Sequence, residues 1–280
     1  MNILALDIGK FNTVYCDYVS ETGDHEFGKV KTTPQAIHDL IVGKEPQRVV
    51  MEVCSIAGWI VDIARALGKE TETANTSNDA WRWKNVKKKN DREDALKLAK
   101  LSAMNQIPTV HMPAKKVREH RSLIKYRQRL VKNKTSIQNS IRAIFSGQGI
   151  TSVPKGSSAW TKEGLAWFRS HAKPLGKIKD VEQLWRGRLH IELEMFEAVR
   201  KSLKKVEDKL NKLGSADSRI RRLKTIPGVG PRLAETVVAF LDDPKRFQNG
   251  KHVGSYAGLT PRQYRVLSAA LKKIRIFQDV

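Results

Sequence analysis

Apolar and polar residues follow one another in two different patterns along the chain. In the first part, short apolar runs alternate with amphipathic stretches. "MNILALDIGKFNTVYCDYV" predicts two strands around a glycine turn, and "HEFGKVKTT", "PQRVVMEVCS" and "ETETAN" each predict one more strand. The stretches at 34–44, 56–68 and 91–104 have the spacing of helices. Strands that alternate with helices in this way predict an α/β unit with a central, partly parallel sheet.

From Val117 onward the apolar spacing predicts long helices instead. Aliphatic residues recur every seven positions from Leu123 to Ile144, which predicts a helix that ends near Gly147. In a second predicted helix the apolar residues alternate in steps of three and four: Phe196, Val199, Leu203, Val206, Leu210 and Leu213. This spacing fits a coiled-coil seam and equally an amphipathic helix on its own core, so pairing with each other or with another protomer stays open. Residues 150–175 have only a weak periodicity, and no element is assigned to them.

The charge distribution indicates the kind of partner that the protein binds. The chain has 52 Lys and Arg against 29 Asp and Glu, a net charge of +23. Residues 1–80 carry a net −5 and the remainder +28, so the basic part is expected to meet phosphate. No long apolar run, signal peptide or lipidation motif indicates a membrane, and two cysteines fit a reducing cytosol. We therefore expect a cytoplasmic, nucleoid-associated protein that binds nucleic acid.

Four carboxylates are candidates for a metal site. Asp7 and Glu52 each lie within an apolar strand, where an unpaired carboxylate is costly. Asp91 and Asp94 are three apart and share one side of a predicted helix, whereas Glu93 points about 100° away from Asp94. An Asp that caps the glycine turn and a charge-laced surface helix are the alternatives. Together the four acids would suit a pair of Mg²⁺ ions that activate a nucleophile and stabilise the leaving oxygen of a phosphodiester.

Several segments of the sequence together resemble a known family. "LALDIGKFN", "VVMEVCS" and "KKNDREDALKLAKL" resemble the D, E and DxxD blocks of the DEDD transposases of insertion-sequence family 110 and the Piv invertase. "IRRLKTIPGVGPRLAETVVAFLDDPKRFQNGKHVGSYAGLTPRQY" resembles the second conserved block of that family. The resemblance implies an RNase H-like (RuvC-like) first domain in which Asp7, Glu52, Asp91 and Asp94 hold Mg²⁺. It further implies DNA strand cleavage and rejoining by a serine of the second domain, in some members with a bridge RNA as guide.

The resemblance also sets the expected domain plan. We expect a RuvC-like catalytic domain at 1–112, a helical coiled-coil region at 113–214 and a small all-α transposase domain at 215–280. In the family, "GLTPRQY" is normally followed by Ser-Gly, whereas this chain has Val266 near that place and ends soon afterwards. Ser268, two residues on, is the candidate nucleophile, and a truncated or frame-shifted C-terminus is expected.

Basic and glycine-rich stretches are candidates for contact with nucleic acid. "WRWKNVKKKN" interleaves tryptophans with basic residues, "KYRQRLVKNK" is a basic helical face, and "IPGVGP" resembles a helix-hairpin-helix turn. A solvated loop, a solvated face and an ordinary turn are the alternatives. The predicted contacts are Lys87, Lys88, Lys89, Arg127, Arg129, Gly228, Gly230 and Arg232.

The sequence thus predicts a Mg²⁺-dependent DNA transposase or recombinase. Its expected partners are DNA, a bridge RNA and further copies of the same chain as a dimer or tetramer. Two other functions stay open: a truncated remnant that only binds nucleic acid, and a RuvC-like endonuclease that cuts branched DNA and needs no serine.

Overall fold

The computed structural model describes residues 1–75, 90–156 and 158–259 of the 280-residue chain. The chain forms two compact units, Met1–Ser122 and Leu123–Val280. The predictions for Lys87, Lys88, Lys89 and Ser268 lie outside the described residues. The three-part domain plan stays a prediction.

The first unit contains the predicted strands and helices. Its elements are β1 (Asn2–Ile8), β2 (Asn12–Val19), β3 (His25–Lys31), α1 (Pro34–Lys44), β4 (Arg48–Glu52), α2 (Ala57–Ala66), β5 (Glu70–Ala74) and α3 (Asp91–Ala103). The strands form a five-stranded sheet in the order β3-β2-β1-β4-β5, within the part of the chain that the structure describes. β1, β4 and β5 are parallel, and β2 pairs antiparallel with β1 and β3. The predicted mixed α/β class is confirmed.

The sheet of the first unit has an apolar core on each face. Alternate residues of a strand point to opposite faces. On one face, residues of β1 and β4 pack against α3: Ile3, Ala5 and Val50 lie with Ala95, Leu98 and Ala99. On the other face the intervening strand residues pack against α1 and α2: Leu4, Leu6, Val49 and Met51 lie with Ile37, Ile41, Ile60 and Val61. Helices therefore cover both faces of the sheet, as is usual where strands such as β1, β4 and β5 pair in parallel.

A buried arginine fixes the direction of α3 on the sheet. Arg48, the first residue of β4, donates from Nη1 to the backbone oxygen of Ser102 at 3.1 Å, near the C-terminal end of α3. The same guanidinium binds Glu70 at 3.0 Å and Glu72 at 3.3 Å on β5. Because the end of α3 lies at the start of β4 and Lys97 feels the charge of Glu52, the first turn of α3 lies toward the end of β4.

Among the described residues the second unit is helical. The long helix α4 (Lys115–Gly147) leads into it, followed by α5 (Lys162–His171), α6 (Leu184–Ala216), α7 (Ser218–Leu223), α8 (Pro231–Leu241) and α9 (Gly250–Tyr256). Short 3-10 helices lie at Ser158–Trp160, Leu175–Lys177, Val181–Gln183 and Pro244–Arg246. In the described ranges, no helix is both long enough and apolar enough to cross a membrane.

Helices α4 and α6 run antiparallel and pair with each other in the second unit. Arg127 of α4 binds Glu207 of α6 at 2.7 Å, and Ser140 of α4 donates to Glu192 of α6 at 2.6 Å. Residues of the predicted seam face this pairing: Phe196, Leu203 and Leu210 are buried in it, and Val199 and Val206 are partly buried against it. In the described part of the chain these two helices therefore pair with each other, while a true coiled-coil seam and pairing with another protomer stay predictions.

The structure adds two features that the sequence pattern left unassigned. Residues 150–175 contain α5, whose N-cap Thr161 accepts from the amide of Gly164 and whose Phe168 is fully buried. The second predicted helix contains Phe196 to Leu213 and extends back to Leu184, twelve residues before Phe196. Both stretches become helical because their aromatic and aliphatic residues pack on distant parts of the chain: Phe145 contacts the rings of Trp167, Phe168 and Trp185.

Candidate active site

Asp7 and Glu52 lie side by side at the ends of two adjacent parallel strands. The pairing of β1 with β4 joins Ala5 to Val50 and Leu6 to Met51, and one further step places Asp7 opposite Glu52. Neighbouring strands are roughly 4.8 Å apart. Asp7 is an even number of residues from Ile3 and Ala5, so it points to the same face of the sheet as they do. Glu52 likewise points to the same face as Val50. Both carboxylates therefore project from the face that α3 covers. Both are half-buried.

The turn after Asp7 holds this strand end tightly. The amide of Gly9 donates to the carbonyl of Asn12 at 3.1 Å. A Cβ at Gly9 would lie 2.5 Å from that same oxygen, so only glycine fits here. The chain thus turns tightly two residues after Asp7. This turn is also compatible with the alternative that Asp7 only caps the glycine turn.

The first turn of α3 brings two further acids to the same end of the sheet. Arg48 to Glu52 spans four residues of strand, roughly 13 Å, and Ser102 back to Asp94 spans eight residues of helix, roughly 12 Å. Arg48 binds Ser102, and Lys97 feels the charges of both Asp94 and Glu52, so these lengths are consistent with Asp94 near the end of β4. Asp94 is half-buried, whereas Asp91 and Glu93 are exposed. Asp91, Glu93 and Asp94 also lie in the first turn of α3, whose N-cap is Asn90. The helix macrodipole stabilises negative charge at this end.

Lys97 connects two of the carboxylates electrostatically. Burial lowers the pKa of the Lys97 ammonium, and the nearby charges of Asp94 and Glu52 act in the opposite direction. The ammonium is thus close enough to both acids to feel their charge, which supports their convergence. The sequence interpretation did not include Lys97. Its position three residues after Asp94, on the same side of α3, was the signal that would have found it.

The donor set suits a divalent cation, although the side chains are not closed around one. Within residues 1–75, 90–156 and 158–259, no group of three or more His, Cys, Asp or Glu side chains could hold a metal ion as placed. Carboxylate oxygens are nevertheless the ligands that hard cations such as Mg²⁺ prefer. The strand register sets Asp7 opposite Glu52, and Lys97 feels the charges of both Glu52 and Asp94, while the four-carboxylate site stays a prediction.

The "IPGVGP" segment forms an exposed turn between α7 and α8. Gly228 has a φ of 82°, in the left-handed region that favours glycine, and a Cβ there would meet open space. Gly230 is the N-cap of α8, with Pro231 at its first position. The helix pair is held by buried Ile220, Ala234 and Val238. The geometry matches the turn that the sequence predicted, and its role in binding stays a prediction.

The arginines predicted to bind nucleic acid are engaged by protein groups. Arg127 donates from Nε and Nη2 to Glu207 at 3.0 and 2.7 Å, and Arg129 lies over the ring of Tyr126. Arg232 donates from Nη1 to Glu235 at 2.7 Å. These contacts give at least Arg127 and Arg232 a structural role, and their contact with nucleic acid stays a prediction.

Two family models match the chain over the segments that hold these features. One, for DEDD transposases of the IS110 type with the description "Transposase", matches residues 4–148, just over half of the chain. The other, "Transposase IS116/IS110/IS902 family", matches residues 220–271. The first match contains the four carboxylates and the second contains the glycine turn.

Individual relatives extend the similarity over most of the chain. It is 27% identical over 269 residues to the transposase for insertion sequence element IS1111A of Coxiella burnetii, covering 94% of this chain and 70% of that protein. It is 23% identical to a probable family 20 transposase of Pseudomonas aeruginosa, covering 94% and 76%. A segment of 43 residues, 15% of the chain and 13% of the relative, is 42% identical to the pilin gene-inverting protein of Moraxella lacunata.

Proposed function

Because the chain belongs to the IS110 family of DEDD transposases, we propose that it cuts and rejoins DNA at a Mg²⁺ site formed by Asp7, Glu52, Asp91 and Asp94. DEDD transposases in general depend on a divalent metal, and the five-stranded sheet with its helical remainder fits an RNase H-like member of that family. The observation that best supports this proposal is the strand register, which sets Asp7 opposite Glu52 on the face covered by α3.

The positions of the residues suggest a separate role for each. Asp7 and Glu52 would hold the cation from the rigid strand ends, and Asp94 and Asp91 would complete the oxygen ligands from the first turn of α3. When bound, a divalent cation lowers the pKa of an attacking hydroxyl and stabilises the leaving oxygen of the phosphodiester. Lys97 offsets the repulsion between Glu52 and Asp94, which keeps these carboxylates close together before the cation binds.

The finer parts of the proposal follow the family. Ser268 is the proposed nucleophile and would be joined to a DNA end while the leaving strand departs. We also propose the division into a RuvC-like domain, a helical region and a C-terminal transposase domain, with a dimer or tetramer as the acting form. A bridge RNA is proposed as a partner, and the net charge of +23 supports a polyanionic one.

A pair of neighbouring acids provides the test. Asp94→Asn and Glu93→Gln each remove one charge from the first turn of α3, but only Asp94 lies on the sheet side. With DNA of the element ends, its flanking transcript and Mg²⁺, we expect cleavage by Asp94→Asn to fall about 100-fold or more, the loss of roughly 3 kcal/mol of transition-state stabilisation. Glu93→Gln should cleave like the parent protein.

Other arms of the same experiment separate the alternatives. Chelation of Mg²⁺ should stop cleavage, and covalent protein–DNA adducts that disappear in Ser268→Ala would support the serine mechanism. Equal cleavage by Asp94→Asn and the parent protein would refute the assignment of the site. Hydrolysis without adducts would favour the RuvC-like endonuclease, and binding without any cleavage would favour the remnant. Omission of the transcript tests the bridge RNA.

A further inference from the structure

A groove with a positive lining runs along α6 in the second unit. It has a volume of about 540 Å³ and is lined by Lys134 of α4 and by Glu197, Arg200, Lys201, Leu203, Lys204 and Glu207 of α6. From Glu197 to Glu207 the groove follows ten residues of helix, roughly 15 Å. That length is comparable with about four nucleotide steps of a duplex at 3.4 Å per strand.

Each of the two carboxylates of the groove forms an ion pair with an arginine that does not line the groove. Arg169 of α5 pairs with Glu197, and Arg127 of α4 binds Glu207 at 2.7 Å. The four lining cations, by contrast, have no carboxylate within 4 Å among the residues that the structure describes. The lining itself holds four cations and two carboxylates, a net charge of +2, and each of the two carboxylates is already paired with an arginine outside the lining.

Like charges are neighbours in this lining. Lys204 lies four residues after Arg200 and three after Lys201, so these cations share one side of α6 and repel each other. Glu197 and Glu207 stand at similar spacing from them and offset this repulsion in part. A polyanion that enters the groove would reduce the remaining repulsion.

The lining also indicates which polyanion fits. Its apolar member is Leu203, and the described lining contains no aromatic ring on which an unpaired base could stack. Lysine and arginine alone contact phosphates without reading bases. We propose that the groove between α4 and α6 binds the phosphate backbone of a DNA duplex without sequence preference. This inference rests on the proposed function, because it assumes that DNA is the substrate.

Two triple variants of equal charge test the groove. Lys134→Gln/Lys201→Gln/Lys204→Gln removes three lining cations, and Lys205→Gln/Lys209→Gln/Lys212→Gln removes three exposed cations of α6 that do not line it. Binding of a fluorescent duplex of about 20 base pairs is measured by anisotropy at several salt concentrations, in chelator so that no cleavage occurs. A duplex RNA of the same length is measured in parallel.

The expected signal is a change of salt dependence. Three lost phosphate contacts should reduce the slope of log K against log salt by about 2.7, so that between about 50 and 200 mM salt the parent loses about 40-fold more affinity than the groove variant. The control variant should change the slope by less than about one. If melting shows that the groove variant is unfolded, the double variant at the exposed Lys201 and Lys204 is used, with an expected change of about 1.8.

Each other outcome has a defined meaning. Equal slope changes in both variants, or none in either, would overturn the proposal, and a change confined to the RNA duplex would replace DNA by RNA as the ligand. Because binding is measured in chelator, a groove effect in a protein that never cleaves DNA would refute the proposed function alone. Cleavage by the parent protein without a groove effect would refute the groove alone.

Discussion

Arg232 offers a sharp test, because the sequence interpretation and the structure predict different consequences for its loss. The sequence makes it a DNA contact. In the structure Arg232 donates to Glu235 at 2.7 Å and also to the side chain of Asn211, and the Glu235 side chain is only 3% exposed. Arg232→Ala should therefore destabilise the protein before it affects any DNA contact.

The expected magnitude follows from the burial of the pair. Removing one partner of a fully buried ion pair costs about 3–5 kcal/mol. The Arg232 side chain is 27% exposed and Glu235 has a further interaction besides Arg232, so we expect the smaller loss of about 2–3 kcal/mol. For a chain of this size that loss lowers the melting temperature by about 5 to 10 °C.

Thermal unfolding followed by circular dichroism is the assay, with two controls. Arg222→Ala removes an exposed arginine of α7 that has no carboxylate within 4 Å among the described residues, and should change stability by less than about 0.5 kcal/mol. Adding Glu235→Gln to Arg232→Ala should recover part of the loss, because an amide is cheaper to bury than a carboxylate. Unchanged melting of Arg232→Ala, with weaker DNA binding, would refute the structural role and restore the sequence interpretation.

Three further predictions concern the core, pH and thiol chemistry. Ile141→Ala should lower the free energy of unfolding by about 3 kcal/mol in a denaturant titration, because the side chain is fully buried between helices. The hydrogen bond from Arg219 lowers the pKa of Asp217 below its usual 3.8, so the native state gains stability from this carboxylate above that pH. Asp217→Asn should therefore melt below the parent at pH 7, and the difference should vanish as the pH falls through the lowered pKa. Burial raises the pKa of the Cys16 thiol to about 12, whereas Cys54 is exposed, so a thiol reagent should label Cys54 rapidly and Cys16 only on unfolding.

Each of these has a result that would contradict it. A loss under about 1 kcal/mol for Ile141→Ala would mean that its core is loosely packed. A stability gap that persists in acid would show that the Asp217 effect is not ionic. Fast labelling of both thiols would mean that the sheet opens around Cys16, and mass spectrometry identifies which cysteine reacts.

Local patterns were sufficient for most of the first unit. Its strands and helices lie where apolar alternation and helical spacing predicted them, because each element buries one face or both against the sheet. The candidate carboxylates stood out for the same reason: Asp7 and Glu52 interrupt runs that are otherwise apolar. The second unit was harder to predict, since its aromatic residues near 160–185 lack a regular period and become helical only when they pack on Phe145.

The sequence by itself determined the kinds of elements, the excess of positive charge and the identity of the acids. Only the tertiary structure decided which of these elements and residues contact one another. The pairing of β1 with β4 sets Asp7 opposite Glu52, and the contact of Arg48 with Ser102 anchors the end of α3 at the start of β4. The tertiary structure also paired Arg127 with Glu207 and placed Lys201 in the lining of the groove. Strand register and helix pairing depend on contacts between residues far apart in the chain, which local periodicity does not record.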